Sequence, residues 1–326
     1  MKFRKLGKTK IKVSEIGLGS WAIGGDMWGK QDDKDSIAAF KKSLELECNF
    51  FDTAVAYGNG HSEKILGQVM KEEKVLDDVI IATKVPPKNK VWSPPINEKI
   101  KDAFPREWIR KSCEISLKNL GRDFIDVLQI HTWNKNWDEE TEWYDEMLKL
   151  KDEDKIRAIG ISVSPGRPDE ANEHISKNRL EAIQAVYNIL DQNAEKNLFP
   201  LAKEFDIGII ARVPYAEGIL TGKFTKDTKF SQEDWRRFSL QKNLSELIGQ
   251  VEKIKEIVGN MELYEAALKF CLSHDAVSVV IPGCRNAKQA EKNFGVSDSG
   301  NRLTETQSSQ LRKLWEEKEI GGVTFA

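Results

Sequence analysis

With 326 residues, 40% of them apolar, the chain is long enough to bury a large core. Its 50 basic and 52 acidic residues nearly cancel, which argues against the basic field of a nucleic-acid binder or a membrane-surface protein. No stretch approaches a membrane span, the basic start MKFRKLGKTK leads into no apolar signal segment, and Cys48, Cys113, Cys271 and Cys284 form no CxxC pair or metal spacing, so we expect a cytoplasmic protein with reduced thiols and no metal. In chain order, Phe3 to Val13 around Gly7-Lys8 predicts a β-hairpin able to plug the bottom of a barrel. Short apolar runs rich in Ile, Val and Leu follow at Glu15–Gly19, Asn49–Thr53, Val79–Thr83, Phe124–Ile130, Arg157–Ser162, Ala182–Tyr187, Ile207–Ala211 and Val277–Pro282, as expected of strands buried on both faces.

Amphipathic segments separate these runs. In Glu107–Leu120 the residues Ile109, Cys113, Ser116 and Leu120 fall on one helical face, with Pro105 near the start and Gly121 just past the end. Ser36–Leu46, Ser62–Met70, Thr141–Leu150, Leu198–Phe205 and Leu263–Leu272 read similarly. Strand then helix, repeated eight times, predicts an α/β fold, a closed (β/α)8 TIM barrel forming one domain over residues 1–326. Two pieces exceed the bare repeat. The segment from Glu217 to about Gly259 is a long insertion after the seventh strand with a helix of its own, and Thr304–Lys318 is an extra C-terminal helix.

Chemistry in such barrels gathers at the C-terminal ends of the strands. There the sequence places Asp52 and, five residues on, Tyr57, then Lys84, His131, Ser162, Gln184, Arg212 and Pro282-Gly283. Singly, each has an ordinary reading: a turn aspartate, a solvated lysine, a structural histidine, a packing tyrosine. Their coincidence on one rim points to a site. Reducing a carbonyl needs hydride at carbon and a proton at oxygen, and a phenol beside an ammonium can supply the proton. In this reading Tyr57 is the general acid, Lys84 lowers its pKa, Asp52 fixes and charges Lys84, and His131 orients the carbonyl.

The blocks GLGSW (17–21), FDTAVAYGNGHSE (51–63), ATK (82–84), LKNLGRDFIDVLQIH (117–131), KIRAIGIS (155–162), QAVYN (184–188), GILTGKF (218–224) and IPGCRNAKQAEKN (281–293) resemble the aldo-keto reductase family in family order over nearly the whole chain. The resemblance implies an NAD(P)-dependent oxidoreductase with the same four catalytic positions. It also implies a cofactor held on the barrel rim, in keeping with the absence of a GxGxxG Rossmann turn. By that resemblance Gly19, Ser20, Trp21, Asp52, Ser162, Gln184 and Arg212 surround the nicotinamide. Pro214, Gly218, Leu220, Gly222 and Lys223 line the pyrophosphate, and Gly283, Arg285, Gln289 and Asn293 meet the adenosine end.

Three departures stand out. Val163 replaces a frequent asparagine, Arg212 a stacking aromatic, and Gly283 a lysine that grips the 2′-phosphate. Arg285, Arg236 or Arg237 can take over that grip, making NADP(H) the preferred cofactor and NAD(H) an alternative. Trp21, Tyr57, Trp92, His131 and Trp133 are expected to wall the substrate pocket, suiting a small carbonyl or sugar-like compound. Trp28 falls on the same face, whereas Trp137 is expected to pack loops together. Two other readings are a Schiff-base lyase using Lys84 and a cofactor-binding regulatory subunit of a larger assembly. A glycosidase is disfavoured because Asp52 lacks a second carboxylate.

Overall fold

A computed structural model describes residues 1–25 and 27–325. Strands β1 (Phe3–Lys5) and β2 (Lys12–Ser14) pair antiparallel, as the turn at Gly7-Lys8 suggested. Eight parallel strands follow: β3 (Leu18–Gly19), β4 (Phe50–Asp52), β5 (Ile80–Val85), β6 (Ile125–Ile130), β7 (Ile156–Ser162), β8 (Ala182–Val186), β9 (Gly208–Arg212) and β10 (Val277–Ile281). They lie side by side in chain order. Parallel bridges Ile16↔Val280 and Gly19↔Gly283 join first to last, with the Gly17 amide donating to the Val280 carbonyl at 2.8 Å. The predicted TIM barrel is therefore the observed fold. β3 is shorter than its apolar run because ladder pairing there is confined to Leu18 and Gly19.

The helices sit where the periodicity predicted them. Helix Arg106–Leu120 buries Ile109, Ser112, Cys113, Ser116 and Leu120, opens after Pro105, and stops at Gly121, whose φ of 67° is left-handed. The helix Leu244–Val258 lies in the insertion after β9, and Glu305–Glu316 is the C-terminal helix, opened by a Thr304/Gln307 capping box. Among the described residues no helix is long and apolar enough to cross a membrane. The cysteines are unpaired and buried, and burial pushes the thiols of Cys48, Cys113 and Cys284 up to about 12.

Alternation along the strands divides the barrel interior into levels. The lower level is apolar: Phe50, Ala82, Val127, Ala158, Ala182, Ile210 and Val279 pack with Leu6 and Val13 of the hairpin. The hairpin is thus the barrel's plug. Gly7 permits it, since a Cβ at that position would stand 2.2 Å from the Gly208 nitrogen. Two residues further along six of these strands stand Asp52, Lys84, Gln129, Gly160, Gln184 and Arg212, while β10 stays apolar with Ile281. One pleat repeat turns a packed core into a polar floor.

Candidate active site

That floor is held from outside before it does any chemistry. The Asp52 carbonyl accepts from the Ser20 amide at 3.0 Å and the Ser20 hydroxyl at 2.8 Å, and Ser62 bonds the Ser20 hydroxyl at 2.7 Å. This buried hydroxyl chain ties the end of β3 to the loop carrying Tyr57. The Tyr57 amide donates to the Ala54 carbonyl at 3.0 Å, which turns the loop back over the barrel mouth.

The Lys84 ammonium donates to Asp52 Oδ1 at 2.7 Å, to the Thr53 carbonyl at 2.8 Å and to Tyr57 Oη at 3.3 Å, using all three of its protons. The Gln184 amide donates to Asp52 Oδ2 at 2.7 Å. Asp52, Lys84 and Gln184 are all buried. His131 follows β6 directly, its amide donating to the Val85 carbonyl at 3.1 Å, and its ring stands edge-on to Tyr57 with centroids 5.8 Å apart. Sequence reasoning singled out Asp52, Tyr57, Lys84 and His131 separately; the fold brings them into one contiguous group.

Charge follows from this packing. Burial pulls the Lys84 ammonium down, but Asp52 and Tyr57 together outweigh it and hold its pKa above the usual lysine value. Burial, Lys84 and Arg212 hold His131 well below the ordinary imidazole value, so the ring is neutral. Tyr57 departs from expectation. Lys84 does pull the phenol down, yet burial is the larger influence and Asp52 adds to it, so its pKa is raised rather than lowered. The phenol stays protonated, the form that can donate.

The aromatic walls are only partly those expected. Trp21 stacks on Tyr57 with centroids 6.3 Å apart, Trp28 meets Trp21 edge-on at 5.0 Å, and the half-exposed Trp92 meets His131 edge-on at 4.9 Å. Trp133 is a correction. β6 ends at Ile130, so alternation does not carry on past His131, and Trp133 turns into a buried cluster with Trp137, Trp143 and His174. It lines no pocket at the rim. Trp137 packs loops, as expected.

The residues expected around a cofactor divide into open and committed groups. Gly19 closes the barrel, and Ser162 is buried at the end of β7. Gln184 gives one amide hydrogen to Asp52, and its oxygen is not used in that bond. Arg212 donates to the Val163 carbonyl at 3.3 Å, while its Nε is buried without a partner in the chain. Beyond β9 the backbone is strained: Val213, Ala216 and Glu217 all have positive φ (57°, 47° and 55°) ahead of Gly218 at 100°. Pro214 and Leu220 are buried in this loop, so backbone is what it offers outward, and Gly222 is left-handed at 72°.

Near the end of β10, Gly283 is exposed and a Cβ there would meet nothing within 4 Å. Asn293 is committed internally, accepting from Tyr215 Oη at 2.7 Å and donating to the Gly283 carbonyl at 3.2 Å. Gln289 accepts from the Arg285 amide at 2.8 Å. The Arg285 guanidinium donates to Gln31 and to the Trp28 and Lys30 carbonyls, clasping the loop after β3. Arg236 pairs with Asp234 and lies over Trp28, while Arg237 is exposed. Burial lowers the Lys223 and Arg285 pKa values, and repulsion from Arg236 adds to it in both cases. Lys223, Arg236 and Arg285 lie close enough to repel one another, with Asp234 and, for Arg285, Asp35 as the carboxylates that offset them, which leaves an excess of positive charge. Sequence reading passed over Gln129, Thr53, Ser62 and Asp234; only Gln129 carried a signal, two residues before His131 on the same face.

The profile of the Aldo/keto reductase family matches residues 15–316. Aldo-keto reductase YhdN of Bacillus subtilis is 32% identical over 297 residues, covering 89% of this chain and 87% of that protein. An NADH-specific methylglyoxal reductase of Escherichia coli is 28% identical, covering 97% of this chain and 99% of that protein. The holo form of an aldo-keto reductase from Bacillus halodurans superposes with a TM-score of 0.77 at 26% identity, covering 96% of each chain.

Proposed function

Because the chain belongs to the aldo/keto reductase family, whose reaction is carbonyl reduction with a nicotinamide cofactor, we propose that Tyr57 is the proton donor of that reaction here. The observation that carries this reading is the Lys84 ammonium bridging Asp52 Oδ1 at 2.7 Å and Tyr57 Oη at 3.3 Å. The rim suits the cofactor: Arg212 Nε is buried and unpaired, the Gln184 oxygen is left over from Asp52, and Gly283 leaves room for a close approach. The cofactor supplies hydride when bound. All else falls to the chain's own side chains.

A protonated Tyr57 donates to the carbonyl oxygen as negative charge develops on it. The phenolate left behind faces Lys84, whose charge is fixed by Asp52, so the cation acts after the proton has gone more than before. His131, neutral and beside Tyr57, donates a hydrogen bond that orients the same oxygen. Run in reverse, the phenolate takes the proton from an alcohol. A Schiff-base role for Lys84 is disfavoured, since an ammonium with a raised pKa and three committed protons is no nucleophile.

Trp21 and Trp92 give the pocket flat apolar walls, favouring a small carbonyl or sugar-like substrate. Lys223, Arg236 and Arg285 favour a cofactor with an extra phosphate, so NADP(H) is the proposed partner. Dissociation constants for NADPH and NADH test this: tighter NADPH binding that weakens in Arg285→Ala is expected, and equal affinities contradict it. A panel of aldehydes, ketones and ketoses, followed by loss of reduced nicotinamide absorbance, tests the reaction itself. Turnover of none of them, or undiminished turnover in Tyr57→Phe, contradicts the assignment.

A further inference from the structure

One fully buried side chain in the polar level takes no part in the network above. Gln129 lies on β6, opposite Lys84 on β5 and Gly160 on β7, and neither its amide nitrogen nor its amide oxygen meets a partner in the chain. Buried amides in folded proteins are satisfied by protein or by ordered water, so such a group implies a function for its surroundings. Gly160 indicates where the side chain runs. A Cβ at Gly160 would stand 2.9 Å from Gln129 Cγ and 3.5 Å from Val127 Cγ1, so the glutamine stem crosses the glycine inside the barrel.

Two residues along the same strand face stands His131, and its Nδ1 is also buried without a partner. Residues i and i+2 of a strand have Cα atoms about 6.6 Å apart with side chains side by side. One water, with two hydrogen bonds of about 2.8 Å each, spans such a pair. Such a water would accept from Gln129 Nε2–H and donate one hydrogen to His131 Nδ1, and its second hydrogen would be free to turn toward Gln129 Oε1. Three unmet atoms, two on β6 and one on the residue directly after it, would then share a single bridge.

We infer that Gln129 is a positioning residue for His131, its amide and one bridging water making Nδ1 the acceptor and leaving the ring proton on Nε2. A neutral imidazole carries one proton, and the partner of one nitrogen decides which nitrogen keeps it. With Nδ1 accepting, Nε2–H is the group left to donate toward a carbonyl oxygen. The inference rests on the reading of His131 as the carbonyl-orienting donor.

The test reads the tautomer apart from turnover. The chain has four histidines, so nitrogen-15 spectra of the full-length protein, with His131→Asn for assignment, resolve the His131 ring. The wild type is expected to show Nε2–H with unprotonated Nδ1. In Gln129→Leu the ring should shift toward Nδ1–H or a mixture, and kcat/KM for the carbonyl should fall about 10- to 100-fold, the scale seen when a metal-binding histidine loses the partner of its other ring nitrogen. Cofactor affinity should be unchanged. Gln129→Met, which keeps the length without the hydrogen bonds, should reproduce both effects and carries the test where Leu does not fold. An unaltered Nε2–H tautomer in both variants overturns the inference. A shifted tautomer in a protein that reduces no carbonyl at all supports the bridge and removes the reductase reading instead.

Discussion

The lower and upper levels of the barrel interior are built on the same strands, two residues apart, and behave as different materials. Below, Phe50, Ala82, Val127, Ala182 and Ile210 close around Leu6 and Val13 in one apolar cluster. Above, Asp52, Lys84, Gln184 and Gln129 put charges and amides into the same enclosed space. The lower level stabilises by packing, whereas the upper is costly to bury and persists because Lys84 and Asp52 neutralise each other, with Gln184 bonded to the second carboxylate oxygen. The difference is that of a plug and a reaction vessel, and substitutions should separate the two.

The largest effect is expected for Lys84→Met. It leaves Asp52 buried without its cation, which typically costs about 3–5 kcal/mol. It should also lower carbonyl reduction at least about 100-fold by leaving the phenolate unstabilised. Urea unfolding alongside steady-state rates checks both halves. Next is Leu6→Ala in the plug: stability should drop about 2–5 kcal/mol while kcat/KM of the folded protein is kept. A rate loss matching that of Lys84→Met would erase the distinction between the levels. Gln184→Leu should be milder, costing about 1–3 kcal/mol because Asp52 Oδ2 loses its donor. Weaker nicotinamide binding should accompany it, measured by fluorescence titration.

The smallest effect concerns pH. The His131 pKa is lowered in the fold, so its contribution to stability is fully present above the unfolded value near 6.5 and is lost as pH falls through the folded value. Wild type should therefore lose stability on acidification relative to His131→Asn. Parallel denaturation midpoints from neutral to acid pH would contradict this. The opposite limb belongs to Tyr57. Its raised pKa keeps the acid form until pH passes above the ordinary phenol value, so the reduction rate of the free protein should show no loss at mildly alkaline pH.

Much of this was legible in the sequence because barrel strands leave a strong trace. The apolar runs located all the barrel strands, and Pro105 and Gly121 bracketed their helix, since local sterics set those limits. Asp52, Tyr57, Lys84 and His131 could be picked out by their position at strand ends. Trp133 differs from expectation because its place in the loop after His131 does not tell whether the side chain faces the rim or the buried Trp137, Trp143 and His174 cluster it joins. The direction of the Tyr57 shift was misread because sequence names the neighbouring cation but not the depth of burial that outweighs it. The left-handed turn at Val213, on a β-branched residue, has no local signal at all; tertiary closure imposes it. The commitments of Asn293, Gln289 and Arg285 to internal partners likewise depend on loops distant in the chain.

The central claim is that the upper level delivers its proton through Tyr57, and one paired measurement on Tyr57→Phe tests it. Reduced-cofactor binding is followed by fluorescence, and a single turnover of a bound aldehyde is then followed in the same sample. The predicted result is cofactor affinity close to wild type with single-turnover reduction slowed by about 100-fold or more, the usual contribution of a general acid. Single-turnover reduction at the wild-type rate would contradict it and move the proton donor elsewhere.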